Sequence, residues 1–430
     1  MHIRAFFRKT FLKANHLIFP KLKSFLFKLN PPIYLKLKKI YKRIKQNAKS
    51  KIASSQKVSI NQFHALSEKL HSNIDPDIQI YSNRYYCCDY LNKLNLHFES
   101  YNDNDGKAVR FCCGVLDKLP GSQYYATAEE TVNELLKNYN NIVAESKMFS
   151  LLGKTSVNEI RKFTSTCVKC DLFQLKDWSG SDGLIHHICL NMNPMPCQSR
   201  CIYCDNNIFT KETIKDMHLH PENYKRPFDV IDHLKNNGMI ADSTTWNIAS
   251  GEITIHPFKE RIYNLVGKQA AIYSSNCFIY DKDIAVNLAS NPNSCIHLSI
   301  DSGTPKTWKK IKGANNFNTV LDNLRKYSES CIVPGQILLK YIILPGINDN
   351  SEDYIAVVEI MKSLKVNYIT VSCDIRGKNL RNEKQSKALI KATGQLLAEL
   401  KKNSMTYSFS PSFFSSYELE NAIIFADTIS

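Results

Sequence analysis

Three cysteines fall within eight residues in Cys197-Gln-Ser-Arg-Cys201-Ile-Tyr-Cys204. The spacing, C-x3-C-x2-C, lets one short loop wrap three thiolates around a single cubane, because iron–sulfur clusters are held by cysteine thiolates. The run offers no fourth protein ligand. One iron is thereby left with an open position, the feature that separates catalytic from structural metal sites. A zinc knuckle is the competing reading, but structural zinc prefers four tetrahedral ligands in C-x2-C pairs, and here there are three at unequal spacing.

A loop of this kind needs a scaffold, and residues 184–410 read as one. Short apolar runs at Leu184–Leu190, Trp246–Ser250, Ala270–Ser275, Ile296–Asp301, Gln336–Ile343 and Tyr368–Asp374 alternate with helical patterns such as Pro257–Val266, Asn316–Ser328 and Ser351–Leu364. Six β/α units in succession predict a parallel sheet, and the number fits a partial barrel better than a complete eight-unit one. In such barrels the site lies at the C-terminal ends of the strands. The cysteine run follows the first strand, at that end.

The spacing, together with the aromatic Tyr203 before the last cysteine, resembles the signature of the radical S-adenosylmethionine (SAM) superfamily. The resemblance extends over about 184–375. Ser250-Gly251-Glu252 after the second strand is similar to the family's Gly-Gly-Glu element at the amino group of SAM, with Ser in place of the first Gly. A glycine permits close backbone approach and a carboxylate suits an ammonium. Ser274-Ser275-Asn276 closes the third strand, and Leu298-Ser299-Ile300-Asp301 the fourth. Similar strands in the family place polar groups at the ribose or the methionine carboxylate. Leu344-Pro345-Gly346-Ile347-Asn348-Asp349 after the fifth strand is another run typical of the family. The resemblance implies an enzyme in which Cys197, Cys201 and Cys204 hold a [4Fe–4S] cluster, with Tyr203, Gly251, Glu252, Ser275, Asn276, Ser299 and Asp301 at SAM. The reduced cluster would cleave SAM to methionine and a 5′-deoxyadenosyl radical, which takes a hydrogen atom from a substrate. A one-electron donor such as flavodoxin or ferredoxin is implied as a partner.

A second group of cysteines precedes the barrel: Cys87-Cys88, Cys112-Cys113, and Cys167-Val-Lys-Cys170. One from each doublet plus the C-x2-C pair makes four thiolates, enough to close a second [4Fe–4S] cluster. Cys88, Cys112, Cys167 and Cys170 are the expected ligands. Leu96–Ser100 and Ala108–Phe111 flank Asn102-Asp103-Asn104-Asp105-Gly106, the pattern of a β-hairpin, and Ala126–Ser150 reads as a helix. The cysteine–hairpin–cysteine order is similar to the auxiliary-cluster modules called SPASM or twitch, although those usually follow the barrel. Zinc, or plain buried cysteines, are the alternatives. His186-His187, Cys277, Cys373 and Lys340 also lie on or near the strands, where packing is the ordinary role of a thiol or a strand lysine.

The expected fold is therefore α/β: a partial (β/α)6 radical SAM barrel at 184–410, a small α+β cysteine-rich domain at 75–175, a basic helical tail at 1–57 and a C-terminal extension at 411–430. The tail carries 16 Lys and Arg and no Asp or Glu, while the whole chain of 430 residues has a formal net charge of +16. The rest of the chain is formally neutral, so the basic character is no nucleic-acid footprint on the fold. In the tail Ile33, Leu37, Ile40, Tyr41 and Ile44 fall at helical spacing among lysines and arginines, a pattern that suits an anionic membrane surface. With no secretory signal pattern and no apolar run near the ~20 residues of a membrane span, the expected location is cytoplasmic, peripheral at the inner membrane face. The expected substrate is an envelope sugar or lipid-linked precursor. A peptide or protein maturase is the alternative within the class, and a zinc protein that binds nucleic acid the alternative outside it.

Overall fold

The computed structural model describes residues 84–99, 108–111, 121–152, 174–177, 183–191, 196–204, 215, 219–249, 251–374, 381–410 and 413–429. The basic tail and Cys112, Cys113, Cys167 and Cys170 lie outside them. In chain order the elements are β1 (Arg84–Cys87), α1 (Asp89–Asn92), β2 (Asn95–Phe98), β3 (Val109–Arg110), β4 (Gly121–Ser122), α2 (Ala128–Leu152), β5 (Gln174–Asp177), β6 (Ile185–Asn191), α3 (Pro221–Asn236), β7 (Ile240–Ala249), a 3-10 turn (Ile253–Ile255), α4 (Lys259–Val266), β8 (Ala270–Ser274), α5 (Lys282–Ser290), β9 (Cys295–Ser299), α6 (Pro305–Lys312), α7 (Phe317–Ser330), β10 (Ile337–Ile343), α8 (Ser351–Ser363), β11 (Tyr368–Cys373), α9 (Glu383–Lys402), β12 (Thr406–Phe409) and α10 (Ser416–Ile429).

The six expected strands are β6 to β11. They run parallel and in sequential order, and β12 extends them at one edge. Each crossover carries at least one helix, so the strands wind in one direction with helices on the outer face. β12 and β4 form the edges of this ten-stranded sheet, so it is a partial barrel. The strands alternate accordingly. Trp246, Ile248, Tyr273, Leu298, Leu339 and Tyr341 are buried in the main core, whereas the intervening Asn247, Ser274, His297, Ser299, Lys340 and Thr370 are half-buried. Successive strand residues point to opposite faces, so the inner, concave face is polar.

β2, β3 and β4 join the barrel sheet. β2 pairs in parallel with β6, His97 opposite Cys189, and β3 and β4 continue the same sheet antiparallel. All four β2 residues are buried. A strand covered on both faces requires a sheet around it, and the barrel sheet provides that. The expected hairpin is present as β2–β3, and Asn83–Ser430 forms one compact unit. The expected C-terminal extension is also part of the body, because α10 packs on α9 where Gly394 leaves room for Phe425. α6 lay outside the expectation. Thr304 caps it through the Thr307 amide, Pro305 opens it and Gly313 closes it in the left-handed region, each residue suited to its place.

Candidate functional site

The cysteine loop is stitched to two elements. Its Arg200 and Ile202 amides donate to the carbonyls of Lys312 (2.9 Å) and Ile311 (3.0 Å) at the end of α6. On the other side the Glu252 amide, just beyond β7, donates to Pro196 at 2.7 Å. Within the loop the Cys204 amide closes a turn onto Cys201 at 3.0 Å. Cys197, Cys201 and Cys204 are in no disulfide and are half-buried. Among the described residues, no three His, Cys, Asp or Glu side chains gather at the position of a single metal ion.

The cysteine sulfurs have polar neighbours. The Asn276 amide donates to Cys197 Sγ at 3.6 Å, and Ser199 Oγ lies 3.0 Å from Cys201 Sγ. Burial pushes the Cys197 thiol up to about 12, with the Ser199 backbone amide opposing it, the charges of Glu252 and Cys201 adding to it, and Asn276 opposing it. Three clustered thiolates are therefore costly by themselves and are stabilised by bound iron, which draws off their protons. Side-chain donors aimed at sulfur are the contacts that tune such a cluster. The donor set thus fits an iron–sulfur cluster, and Cys197, Cys201 and Cys204 would hold it.

The expected SAM residues come together, but several turn inward. Gly251, at φ +67, occupies the left-handed region that glycine tolerates. The Glu252 side chain is fully buried and accepts from protein donors: Thr254 N (3.1 Å), Thr254 Oγ1 (2.9 Å), Ser275 Oγ (3.0 Å) and Asn276 N (2.7 Å). Burial raises its pKa, and those hydrogen bonds oppose the rise. Its carboxylate therefore ties the end of β7 to the end of β8. Asn276 passes this order on to the cysteines, since its amide reaches Cys197 while its oxygen accepts from Phe278 N (2.9 Å) and Gln198 Nε2 (3.4 Å). Asp301 is likewise enclosed, accepting from Tyr203 Oη and Lys312 Nζ at 2.5 Å each and from Ile342 N at 2.7 Å. Burial, and then the Asp301 charge, hold the Tyr203 phenol well above its ordinary value. Ser299 remains half-buried on the concave face, level with Lys340 in the β9–β10 register.

Sequence reasoning missed Lys312 and Ser199. Ser199 carried a signal in its place between two cysteines, whereas Lys312 is one of several lysines in α6 and only folding distinguishes it. It also missed Glu99, at the end of β2 on the same edge of the sheet, which accepts from His97 Nε2 (3.0 Å) and Asn191 Nδ2 (3.1 Å). Lys340 is half-buried, its ammonium 5.1 Å from the centre of the Phe413 ring, and burial lowers its pKa. Cys277 is fully enclosed. Cys373 lies 3.0 Å from the Phe413 carbonyl, and burial lifts it to about 11. Both behave as packed thiols. Cys88 is buried in the main core, and its expected partners Cys112, Cys167 and Cys170 lie outside the described residues.

No curated protein matches the chain in sequence. Among solved structures it is similar to SuiB of Streptococcus suis bound to the precursor peptide SuiA, with 10% identity, 71% of this chain and 58% of that chain covered and a TM-score of 0.37. A second SuiB structure covers 66% of this chain and 55% of its own at 12% identity and TM-score 0.39. A radical SAM methyltransferase from Sphaerobacter thermophilus covers 51% and 64% at 9% identity and TM-score 0.33. The chain thus spans between half and two thirds of the length of each. Residues 196–359 match the sequence profile of the radical SAM superfamily. That segment opens at Pro196, whose carbonyl receives the Glu252 amide, and runs through the cysteine loop and β10 into α8, so this part of the chain is a radical SAM domain.

Proposed function

We propose that Cys197, Cys201 and Cys204 hold a [4Fe–4S] cluster, and that SAM binds between this loop and the C-terminal ends of β7 to β10. The observation that carries the reading is the loop itself: three half-buried cysteines in no disulfide, pinned at the strand ends, with Ser199 Oγ beside Cys201 and the Asn276 amide on Cys197. When bound, the reduced cluster and SAM supply one-electron cleavage of the C5′–S bond and a radical able to take a hydrogen atom. The chain's own residues do the positioning. Ser199 and Asn276 soften the charge on two sulfurs. Glu252 fixes the edge of the sheet, leaving the backbone of Gly251 and Glu252 to face SAM. Asn247, His297, Ser299 and Lys340 on the concave face suit a polar substrate, such as an envelope sugar or lipid-linked precursor, and the basic tail would bring the enzyme to an anionic membrane surface. A flavodoxin or ferredoxin would deliver the electron.

A second cluster on Cys88, Cys112, Cys167 and Cys170 is part of this reading. It is supported by the β1–β5 register, which sets Cys87 opposite Gln174.

The test is iron and sulfide content after anaerobic reconstitution, with 5′-deoxyadenosine measured after adding SAM and a reductant. About eight irons per chain are expected, falling to about four, with no nucleoside, in a Cys197/Cys201/Cys204→Ala variant. Wild type with about four irons, all lost in the variant, would remove the second cluster and keep the first. Zinc without iron, and no nucleoside, would sink the central reading.

A further inference from the structure

Lys312 is the last residue of α6, and its side chain is buried beside a buried acid and a half-buried phenol. We propose that Tyr203, Asp301 and Lys312 form a latch that holds the cysteine loop in its cluster-binding shape. The proposal rests on the reading that this loop carries a cluster.

Tyr203 stands between Cys201 and Cys204, so whatever fixes its ring fixes the spacing of those two ligands. The ring is held along its length and at its tip. It packs against the small apolar group of Ile311, Ile342, Leu344 and Ile347, and its hydroxyl donates to Asp301 Oδ2 at 2.5 Å while accepting from Lys312 Nζ at 2.6 Å. The same ammonium donates to Asp301 Oδ2 at 2.5 Å and lies 5.2 Å from the centre of the Tyr203 ring and 5.4 Å from that of Trp308.

The anchor itself is fixed. Asp301 Oδ1 accepts from the Ile342 amide of β10, and the Asp301 carbonyl accepts from Asn348 Nδ2, both at 2.7 Å. These bonds hold Asp301 at φ +53, a left-handed conformation that a non-glycine residue keeps only when its surroundings over-determine it. Gly313 completes the contact, because a Cβ there would stand 3.0 Å from Arg200 Cβ. The loop, α6, the end of β9 and the end of β10 therefore meet at one carboxylate.

A buried ion pair contributes little net stability compared with apolar residues of the same volume. Its best-attested use is conformational specificity, and here the conformation specified is that of the loop. Asp301, with both oxygens occupied by protein donors, acts as a positioning residue and not as a direct contact to SAM.

The test is the rate at which bathophenanthroline disulfonate strips loop-bound iron, taken as the difference from the Cys197/Cys201/Cys204→Ala variant, together with the reduction potential of that cluster. Iron release is expected to be about tenfold faster in Lys312→Met and Asp301→Asn, within the range found for residues that support metal ligands. The potential should shift in both. Lys312→Arg should restore most of the wild-type rate, and Arg325→Ala, at an exposed pair, should match wild type. Wild-type rates in loaded Lys312→Met and Asp301→Asn would overturn the latch and leave the cluster reading standing. Faster release with an unshifted potential and no rescue by arginine would mark a general loss of stability and also overturn it. If both charge variants fail to fold, Tyr203→Phe decides, since it removes one hydroxyl: a several-fold faster release supports the latch, and a wild-type rate overturns it. Wild type without iron on the loop would instead remove the cluster reading, and the latch with it.

Discussion

His256 sits seven residues beyond the end of β7, buried, with Nδ1 accepting from the Phe258 amide at 3.1 Å. That bond places the ring proton on Nε2, which is buried without a hydrogen-bond partner. A second proton would put a charge in an apolar setting, so burial pushes the pKa down from 6.5 to about 4. The folded imidazole stays neutral where the unfolded one becomes charged. Stability is therefore full above pH 6.5 and declines as the pH falls toward 4, by about 3 kcal/mol in all. Urea unfolding at a series of pH values is expected to show this slope in wild type and a flatter one in His256→Gln; equal slopes would assign the loss elsewhere. Glu252 shows the opposite arrangement at the same scale. Its charge is also buried, but four protein donors meet it, as buried charges require. The Gly-Glu pair was legible in the sequence, whereas the direction of its carboxylate was not, because that depends on donors 23 and 24 residues away at the end of β8.

At the scale of elements, two opposing effects meet at Gly394 in α9. Alanine favours a helix over glycine by about 1 kcal/mol. A Cβ there, however, would lie 2.6 Å from Phe425 Cδ1 and 2.9 Å from the Ala422 carbonyl of α10. The phenylalanine ring can swing aside, but the carbonyl belongs to helix backbone and cannot. Overpacking of this kind costs about 1–3 kcal/mol, so after the helix gain Gly394→Ala is expected to lower stability by up to about 2 kcal/mol, read by thermal unfolding. A higher melting temperature would show that the α9–α10 contact is loose. The strands that were legible are those with apolar runs, β6 to β11. β12 escaped because it is four residues long and carries polar side chains such as Ser408. α6 escaped for a similar reason: lysines fill much of its eight residues, and its apolar side is only Trp308 and Ile311.

On the scale of the whole molecule, the net charge of +16 equals the excess carried by residues 1–57. A neutral body and a basic tail imply that any binding to anionic surfaces belongs to the tail, at about 1 kcal/mol per basic residue near such a surface. The full chain is expected to sediment with phosphatidylglycerol vesicles at low salt, to be released near 0.5 M salt as screening shortens the reach of each charge, and to ignore phosphatidylcholine vesicles. Residues 58–430 should bind neither. A full chain that stays in solution with anionic vesicles would dispose of the membrane reading. Among the described residues no helix is long and apolar enough to cross a membrane.

The sequence by itself determined the chemistry: three cysteines on one loop, the order of six β/α units, and polar residues where those strands end. These are local properties, set by spacing within a few residues and by a periodicity of apolar side chains that any folding must respect. Only the tertiary structure decided what the polar residues are for. Glu252 and Asp301 read as contacts to a cofactor because carboxylates at strand ends are free to be so. The fold surrounds them with donors from β8, β10 and α6, so each buried carboxylate oxygen has a protein partner. The same reason made Lys312 invisible in the sequence. A lysine at the end of a lysine-rich helix has no distinguishing neighbour until the chain brings Asp301 and Tyr203 to its ammonium.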